Sequence, residues 1–503
     1  MIKSLTKGRS ALMHIPFASF RSRLTAGAAL LGCLLAAYSL LPATAAARAN
    51  SVQNLSKSIS YNGKTYAVKY VAVDLTDPYL RVKPVTAEDG IGHVEDFSSM
   101  MARNHAVAGV NGAFFDSYEK DDSRRYPNGL LVSSGEPVHS GINSSFLVLP
   151  DKTAALATLK TSQDVTVLHS GASPYTFTAW GVNKYYGESV IDQVVWYTRD
   201  FGTRVDFPNT TKVVIREHRI TEITQAGVTI PEDGYVCMVG NSTNNKTYIV
   251  PSLHIGDTIN IKPTYTDSDT GVSGPLGAID AAVGAGPRLL KDGAVDIDFA
   301  RDGFTDPKIT TQANGRSFVG IDASGRMVIG TMSSATIRDM AQVLLKLGLT
   351  DAMNLDGGAS SALYANGSVL TAPGRLLSNA WIVEKSDTPQ IQIAVNGSFV
   401  HEFRGYLQHE TTMVPLRGIL ERIGAEFAWN GDTRTLTVAY NSNQLTLHPG
   451  DSTMLHNGRG VALPEAPTIV DGHIYLPLRT VTEALGAQIA WDPELYRASL
   501  AIP

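Results

Sequence analysis

Beyond residue 60 the chain is dominated by short runs that alternate apolar and polar positions or are apolar throughout. Tyr66–Val73, Val194–Thr198 and Lys212–Ile215 are the clearest, and turn residues separate such runs at short intervals. A period of two is the signature of strands in a sheet. One segment departs from it. Between Ala335 and Leu347, Ile337, Met340, Ala341, Leu344 and Leu347 fall at helical spacing, Ser334 can cap the start, and Gly348 can end it. The following Asp351-Ala352-Met353-Asn354-Leu355 reads as a short buried strand. This mixture predicts a sheet-rich α+β domain over residues 60–385.

Near Lys385-Ser386-Asp387-Thr388-Pro389 the character changes, and 386–390 reads as a linker. Met413-Val414-Pro415-Leu416-Arg417 returns 62 residues later as Tyr475-Leu476-Pro477-Leu478-Arg479. Gly424, Ala425, Ala428 and Trp429 return in the same register as Gly486, Ala487, Ala490 and Trp491. A fixed offset of this kind predicts two copies of one strand–helix–strand unit, packed as a small α+β domain over 391–503. With Val395-Asn396-Gly397, these motifs resemble the copper amine oxidase N-terminal-like stalk domain. The resemblance implies a spacer or a cell-wall attachment role; an inert folded appendage is the alternative. Its histidines form no close ligand pair, so no metal is assigned to it.

The amino terminus changes the compartment. Lys3, Lys7, Arg9, Arg21 and Arg23 precede an apolar run from Ala26 to Leu41, then Ala43-Thr44-Ala45. These are the parts of a secretory signal peptide over 1–45, followed by a polar linker over 46–59. Export to the medium or cell envelope follows, with no membrane span after cleavage. The 503 residues carry 42 Lys and Arg against 47 Asp and Glu. Removing the five basic residues of the leader leaves 37 against 47, a net charge of −10. That balance argues against a nucleic-acid partner. Two cysteines, Cys33 and Cys237, exclude a disulfide scaffold, and Cys237 reads as a buried strand residue.

Candidate chemistry gathers at four glycine-bearing segments. Asn354 and Asp356 flank Leu355 and so share a strand face. Gly357-Gly358 can then turn and aim N–H groups at an anion, with the Ser360 and Ser361 hydroxyls nearby. A plain β-turn opening on Asp is the bland alternative. Gly284-Ala285-Gly286-Pro287-Arg288 offers a second nest with a guanidinium suited to phosphate, or else a solvated Arg in a Gly-Pro loop. Arg316 precedes an apolar strand; Asn111 and Asp116 bracket Phe114 and Phe115. Asp296, Asp298, Asp302 and Asp306 form an acidic run read as a solvated loop, with calcium left open. No cofactor motif is present, and no metal ligand is assigned.

Taken in order, these segments resemble the phosphodiester glycosidase family, which includes N-acetylglucosamine-1-phosphodiester α-N-acetylglucosaminidase and exopolysaccharide-associated relatives. Asn111–Phe115 resembles N-G-G-F-F with Ala113 for the second Gly. Trp196–Gly202 resembles Y-T-x-x-x-G, and Gly286–Gly293 resembles G-P-x-L-x-x-x-G. Gly315–Gly320 resembles P-R-T-A-x-G but departs at Gly315, Ser317 and Phe318. Asn354–Ser360 resembles N-L-D-G-G-G-S, with Ala359 for the third Gly. The resemblance implies hydrolysis of a sugar-1-phosphodiester in a phosphorylated glycan. On that basis Asp356 and Asp116 are the candidate catalytic carboxylates. Arg288, Arg316, Asn111, Asn354, Gly286, Gly357, Gly358 and Ser360 are the candidate substrate-binding and phosphate-binding positions. Two alternatives remain: a non-catalytic envelope glycan-binding or scaffold protein of the same fold, and a phosphodiesterase cutting the other P–O bond.

Overall fold

The computed structural model describes residues 51–187, 189–470 and 473–502; the expected leader lies outside them. Strand accounts for 49% and helix for 12%, which places the chain in the sheet-rich, mainly β or α+β class read from the sequence. Among the described residues no helix is long and apolar enough to cross a membrane.

Three sheets share the core of the larger part. The first has seven strands in the order 52–61, 64–73, 327–335, 314–322, 349–354, 288–291, 294–295. The second has five, in the order 368–371, 363–365, 106–111, 379–385, 80–86. The third, of thirteen strands, carries residues 131–285. Val71, Val110, Phe146, Val283, Val319, Ile329, Met353 and Trp381 interlock between these sheets with no solvent exposure beyond 2%. The longest helix among the described residues, Ile337–Leu347, covers the opposite face of the seven-stranded sheet through Ile337, Met340, Ala341, Val343 and Leu344. Residues 391–502 build a separate core around Ile393, Val414, Leu420, Val438, Leu476 and Leu500, after a stretch, 386–390, without regular structure.

Two local expectations are corrected. The polar stretch assigned to a linker is in fact a strand, Val52–Tyr61, paired along its whole length with Lys64–Val73. It lies at the sheet edge, where polar side chains can face water. Asn62 and Gly63 both take positive φ (49° and 72°), the geometry that a two-residue hairpin needs. The helix also starts two residues late. Ala335 still belongs to the strand Met327–Ala335, Ser334 has a positive φ of 36°, and Thr336 caps the helix by accepting from the Asp339 N–H. Gly348, at φ 105°, ends it as expected. Replacing Thr336 by Ala leaves that N–H without its partner. The expected cost is about 1 kcal/mol, to be read from urea unfolding.

Candidate functional site

The strand Leu349–Asn354 sits inside the seven-stranded sheet, and the chain then crosses to pair as Leu363–Ala365 in the five-stranded one. Residues 355–362 make that crossing. Asn111, 1% exposed at the end of the strand Ala106–Asn111, holds it at both ends. Its Nδ2 donates to the Asp356 carbonyl (2.6 Å), and its Oδ1 accepts from the Ala362 N–H (3.0 Å). The Asp356 N–H donates to the Gly112 carbonyl. Asn354 does similar work on the other side: its Nδ2 donates to the Gly286 carbonyl (2.8 Å), and its backbone exchanges bonds with Gly286 and Pro287. Asn111, Asn354 and Gly286 thus brace the turn, although the buried Asn354 Oδ1 has no hydrogen-bond partner among the described residues.

The turn itself needs its glycines. A side chain on Gly357 would meet the Gly315 carbonyl oxygen at 2.8 Å, so the 315–316 backbone can lie against it only without a Cβ. Gly358 has a φ of 62°. Among the described residues the N–H groups of exposed Gly358 and Ala359 have no partner, while the Gly357 N–H donates to Asp356 Oδ1 (2.8 Å). Ser360, 1% exposed, donates to the same carboxyl.

Asp356 is half-buried. Burial pushes its pKa up to about 6, against the opposing hydrogen bonds from Ser360 and Gly357 and the nearby charge of Arg375. Such a carboxyl titrates near neutrality, and strongly shifted groups gather at functional sites. Arg316, 3% exposed, packs against the next residue of the turn, Gly357. Its guanidinium donates only to carbonyls, those of Ala335 (2.9 Å), Lys308 (3.2 Å) and Gln312 (2.6 Å). Among the described residues no carboxylate pairs with it, and burial lowers its pKa to about 10.

Three residues that the motifs did not single out complete the group. Lys308 Nζ donates to the Tyr118 hydroxyl (3.2 Å), and both Lys308 and Arg375 lie over the Tyr118 ring, at 4.9 and 5.5 Å from its centroid. Hydrogen bonds from Lys308 and then Arg375 lower the Tyr118 phenol below its ordinary value. The Gly374 N–H donates to Ala359, which ties the Arg375 loop to the Asp356 turn. The half-buried carboxyl thus has Arg375 as its nearby charge, Arg375 meets Lys308 over the Tyr118 ring, and Arg316 packs against Gly357 and binds the Lys308 carbonyl.

Two expected site residues stand apart. Arg288 is buried, but its Nε donates to Asp296 (2.6 Å) and its Nη1 to Asp269 (2.5 Å). Two carboxylates already neutralise it, which corrects its assignment to a phosphate. Asp116 is exposed, its backbone N–H bound to Tyr126, and no contact joins its side chain to Asp356. The acidic run is likewise spent within the protein. Asp296 and Asp302 bind Arg288 and Arg301, Asp298 accepts backbone N–H groups, and Asp306 caps the short helix Pro307–Thr310. A cleft of about 1150 Å³ lined by Gln163, Trp196, Thr198 and Tyr235 contains none of the Asp356 group. The Trp196–Gly202 motif therefore belongs to different surroundings. Cys237 is buried and unpaired, as expected.

With this geometry in hand, comparison with known proteins matches two stretches of the chain to family models. Residues 209–384 match the phosphodiester glycosidase family, and residues 394–500 match the copper amine oxidase N-terminal domain. The first stretch contains Arg316, Asp356, Ser360 and Arg375, while Asn111 and Asp116 precede it. No curated protein sequence matches. A hypothetical protein from Synechocystis shares the fold at TM-score 0.57 and 21% identity, over 67% of this chain; the chain spans 62% of that protein's length. A Burkholderia pseudomallei K96243 protein aligns at TM-score 0.52 and 18% identity, covering 64% and 74% of the two chains. The zebrafish N-acetylglucosamine-1-phosphodiester α-N-acetylglucosaminidase catalytic domain aligns at TM-score 0.36 and 12% identity, covering 67% and 83%.

The raised Asp356 pKa has a stability consequence of defined sign. Between its unfolded value near 3.8 and about 6 the folded chain binds more protons than the unfolded one, so stability falls as pH rises through that window. Asp356→Asn removes the buried charge. It should raise the melting temperature at pH 8 and leave it unchanged at pH 3.5, as read by calorimetry at both values.

Proposed function

We propose that the protein is an exported hydrolase that cleaves the C1–O bond of a sugar-1-phosphodiester in phosphate-linked envelope or exopolysaccharide glycans. The observation that carries this reading is the half-buried Asp356 carboxyl, with a pKa of about 6, under the charge of Arg375, which shares the Tyr118 ring with Lys308. The family match over 209–384 supports it. In the proposed reaction Lys308, Arg375 and the free N–H groups of Gly358 and Ala359 take the phosphodiester charge, while Arg316 fixes the Lys308 segment from behind. Asp356 removes a proton from water as the water oxygen bonds to C1. The C1–O pair then leaves on the phosphate monoester, which needs no strong general acid.

Under this reading 1–45 is a leader, 60–385 the catalytic part, and 391–503 a stalk. We read that stalk as two copies of one unit. Strand, helix and hairpin recur as 411–415, 417–423, 426–440 and as 473–477, 478–484, 488–501. A non-catalytic, glycan-binding reading draws support from the 1150 Å³ cleft, which shares no residue with the Asp356 group.

One assay separates the readings. Incubation with an alkyl ester of N-acetylglucosamine 1-phosphate should release free sugar and alkyl phosphate. Sugar 1-phosphate would instead mark cleavage of the other P–O bond, and no product from this or other sugar-1-phosphodiesters would favour the binding protein. Asp356→Asn should lower kcat/KM by on the order of 10²–10⁴, with the wild-type profile rising through about pH 6. Arg375→Ala, at an exposed loop, should lose on the order of 10²-fold in the same measurement without loss of folding.

A further inference from the structure

Away from Asp356, the thirteen-stranded sheet brings together three residues that no motif connects. His169 follows the strand Ala154–Leu168, and Asp257 precedes the strand Thr258–Asp267. Leu168 pairs with Thr258, so His169 and Asp257 extend that register by one step. His254 opens the turn that ends at Asp257, whose N–H returns to the His254 carbonyl (3.1 Å). The turn is pinned to the neighbouring strand by two further bonds, Gly256 N–H to Ile220 and Ile220 N–H to Asp257, both 2.9 Å.

The side chains converge. His169 Nδ1 is 2.9 Å and His254 Nδ1 3.2 Å from the same oxygen, Asp257 Oδ2, and the rings meet edge to face at 5.6 Å. That oxygen also accepts the His254 N–H at 3.0 Å. Burial would raise the Asp257 pKa, but the bonds from His169 and His254 outweigh it and hold the carboxyl below its ordinary value, hence ionised. A nitrogen from each histidine and a carboxylate oxygen lie within 4.8 Å of one another.

We propose that His169, His254 and Asp257 form a binding site for a divalent transition-metal ion of the zinc class. Zinc bonds nitrogen and carboxylate oxygen at about 2.0–2.2 Å, so the corners of its tetrahedron stand about 3.3 Å apart. Two edges of that figure are already in place at 2.9 and 3.2 Å. Two imidazoles and one carboxylate suit zinc better than calcium, which takes oxygen ligands. Facing a carboxylate oxygen, each imidazole donates from Nδ1. A metal-bound imidazole instead carries its N–H on Nε2, with the Nδ1 lone pair facing the ion. His254 is 65% exposed against 16% for His169, which leaves an open side for entry and for a water as fourth ligand. The ion clamps the 254–257 turn to the end of the Ala154–Leu168 strand, so its role is stability of this sheet.

The test uses tag-free protein, chelator-stripped, titrated with Zn²⁺ by calorimetry and with Co²⁺ by visible absorption. One equivalent of each should bind, with the intense ligand-field bands of four-coordinate cobalt, and Zn²⁺ should raise the melting temperature. His254→Gln and His169→Gln should each weaken Zn²⁺ binding at least about tenfold. His254→Gln, at an exposed side chain, is expected to keep the far-UV spectrum of the parent. Absence of saturable 1:1 binding, or an unchanged affinity and melting shift in both variants, overturns the site and leaves only a His–Asp hydrogen-bond cluster.

Discussion

One buried amide decides where the Asp356 carboxyl stands. Residues 354–362 leave a strand of one sheet and enter a strand of another, and a chain making that passage through the interior must find partners for its peptide groups. Asn111 supplies two of them with a single side chain, bonding the carbonyl of Asp356 and the N–H of Ala362. An apolar residue there would leave both groups buried and unsatisfied, at about 1–3 kcal/mol each. The geometry of Asp356, of Ser360 beside it and of Gly357 against Gly315 all follows from that clamp. Asn111 is therefore a positioning residue, although the motif alone made it a substrate ligand.

Charge pairing then sorts the arginines. Arg288 and Arg316 look alike in sequence, each in a glycine-rich segment at a strand end, and both are nearly fully buried, at 6% and 3% exposure. Arg288 is balanced by two carboxylates and closes a network with Asp296, Asp302 and Arg301. Arg316 has only carbonyl dipoles around it, and its pKa falls accordingly. A buried ion without a counter-ion is costly, so it persists only where surrounding dipoles hold it or an anion comes to it. The chain's net charge is negative, so in the proposed function the phosphodiester must be met by local cations such as Lys308 and Arg375.

How much of this was legible follows from range. Strand periodicity, the helix and its Gly348 stop are local properties, and they were readable. The Val52–Tyr61 strand was masked by its polarity, although Asn62-Gly63 carried a hairpin signal. The Asn354–Ser360 turn stood out through its glycines and its Asp. Lys308, Tyr118 and Arg375 did not, because each is ordinary in its own segment and acquires a role only through contacts spanning tens to hundreds of residues. Arg375, just after Pro373-Gly374 in a turn, offered the one faint cue. Which carboxylate meets which arginine is a matter of tertiary pairing, so Arg288 could not be separated from Arg316 before the fold was known. The His169–His254–Asp257 group joins strand ends more than eighty residues apart, beyond any ligand-spacing rule.

The elevated pKa of Asp356 fits the proposed reaction better than an ordinary carboxylate would. A base near pKa 4 is ionised at neutral pH but draws a proton from water weakly; one near 6 is still mostly ionised and accepts that proton more readily. Raising it by burial alone would also repel the developing phosphate charge from a carboxylate left unscreened. Ser360, the Gly357 N–H and the Arg375 charge work in the opposite direction and limit the rise to about 6. The compromise is structural: the turn that buries the carboxyl also carries its donors, and the same turn is joined through Ala359 to the loop that brings Arg375. In the proposed reaction, a change that loosens the turn would therefore move basicity and anion attraction together.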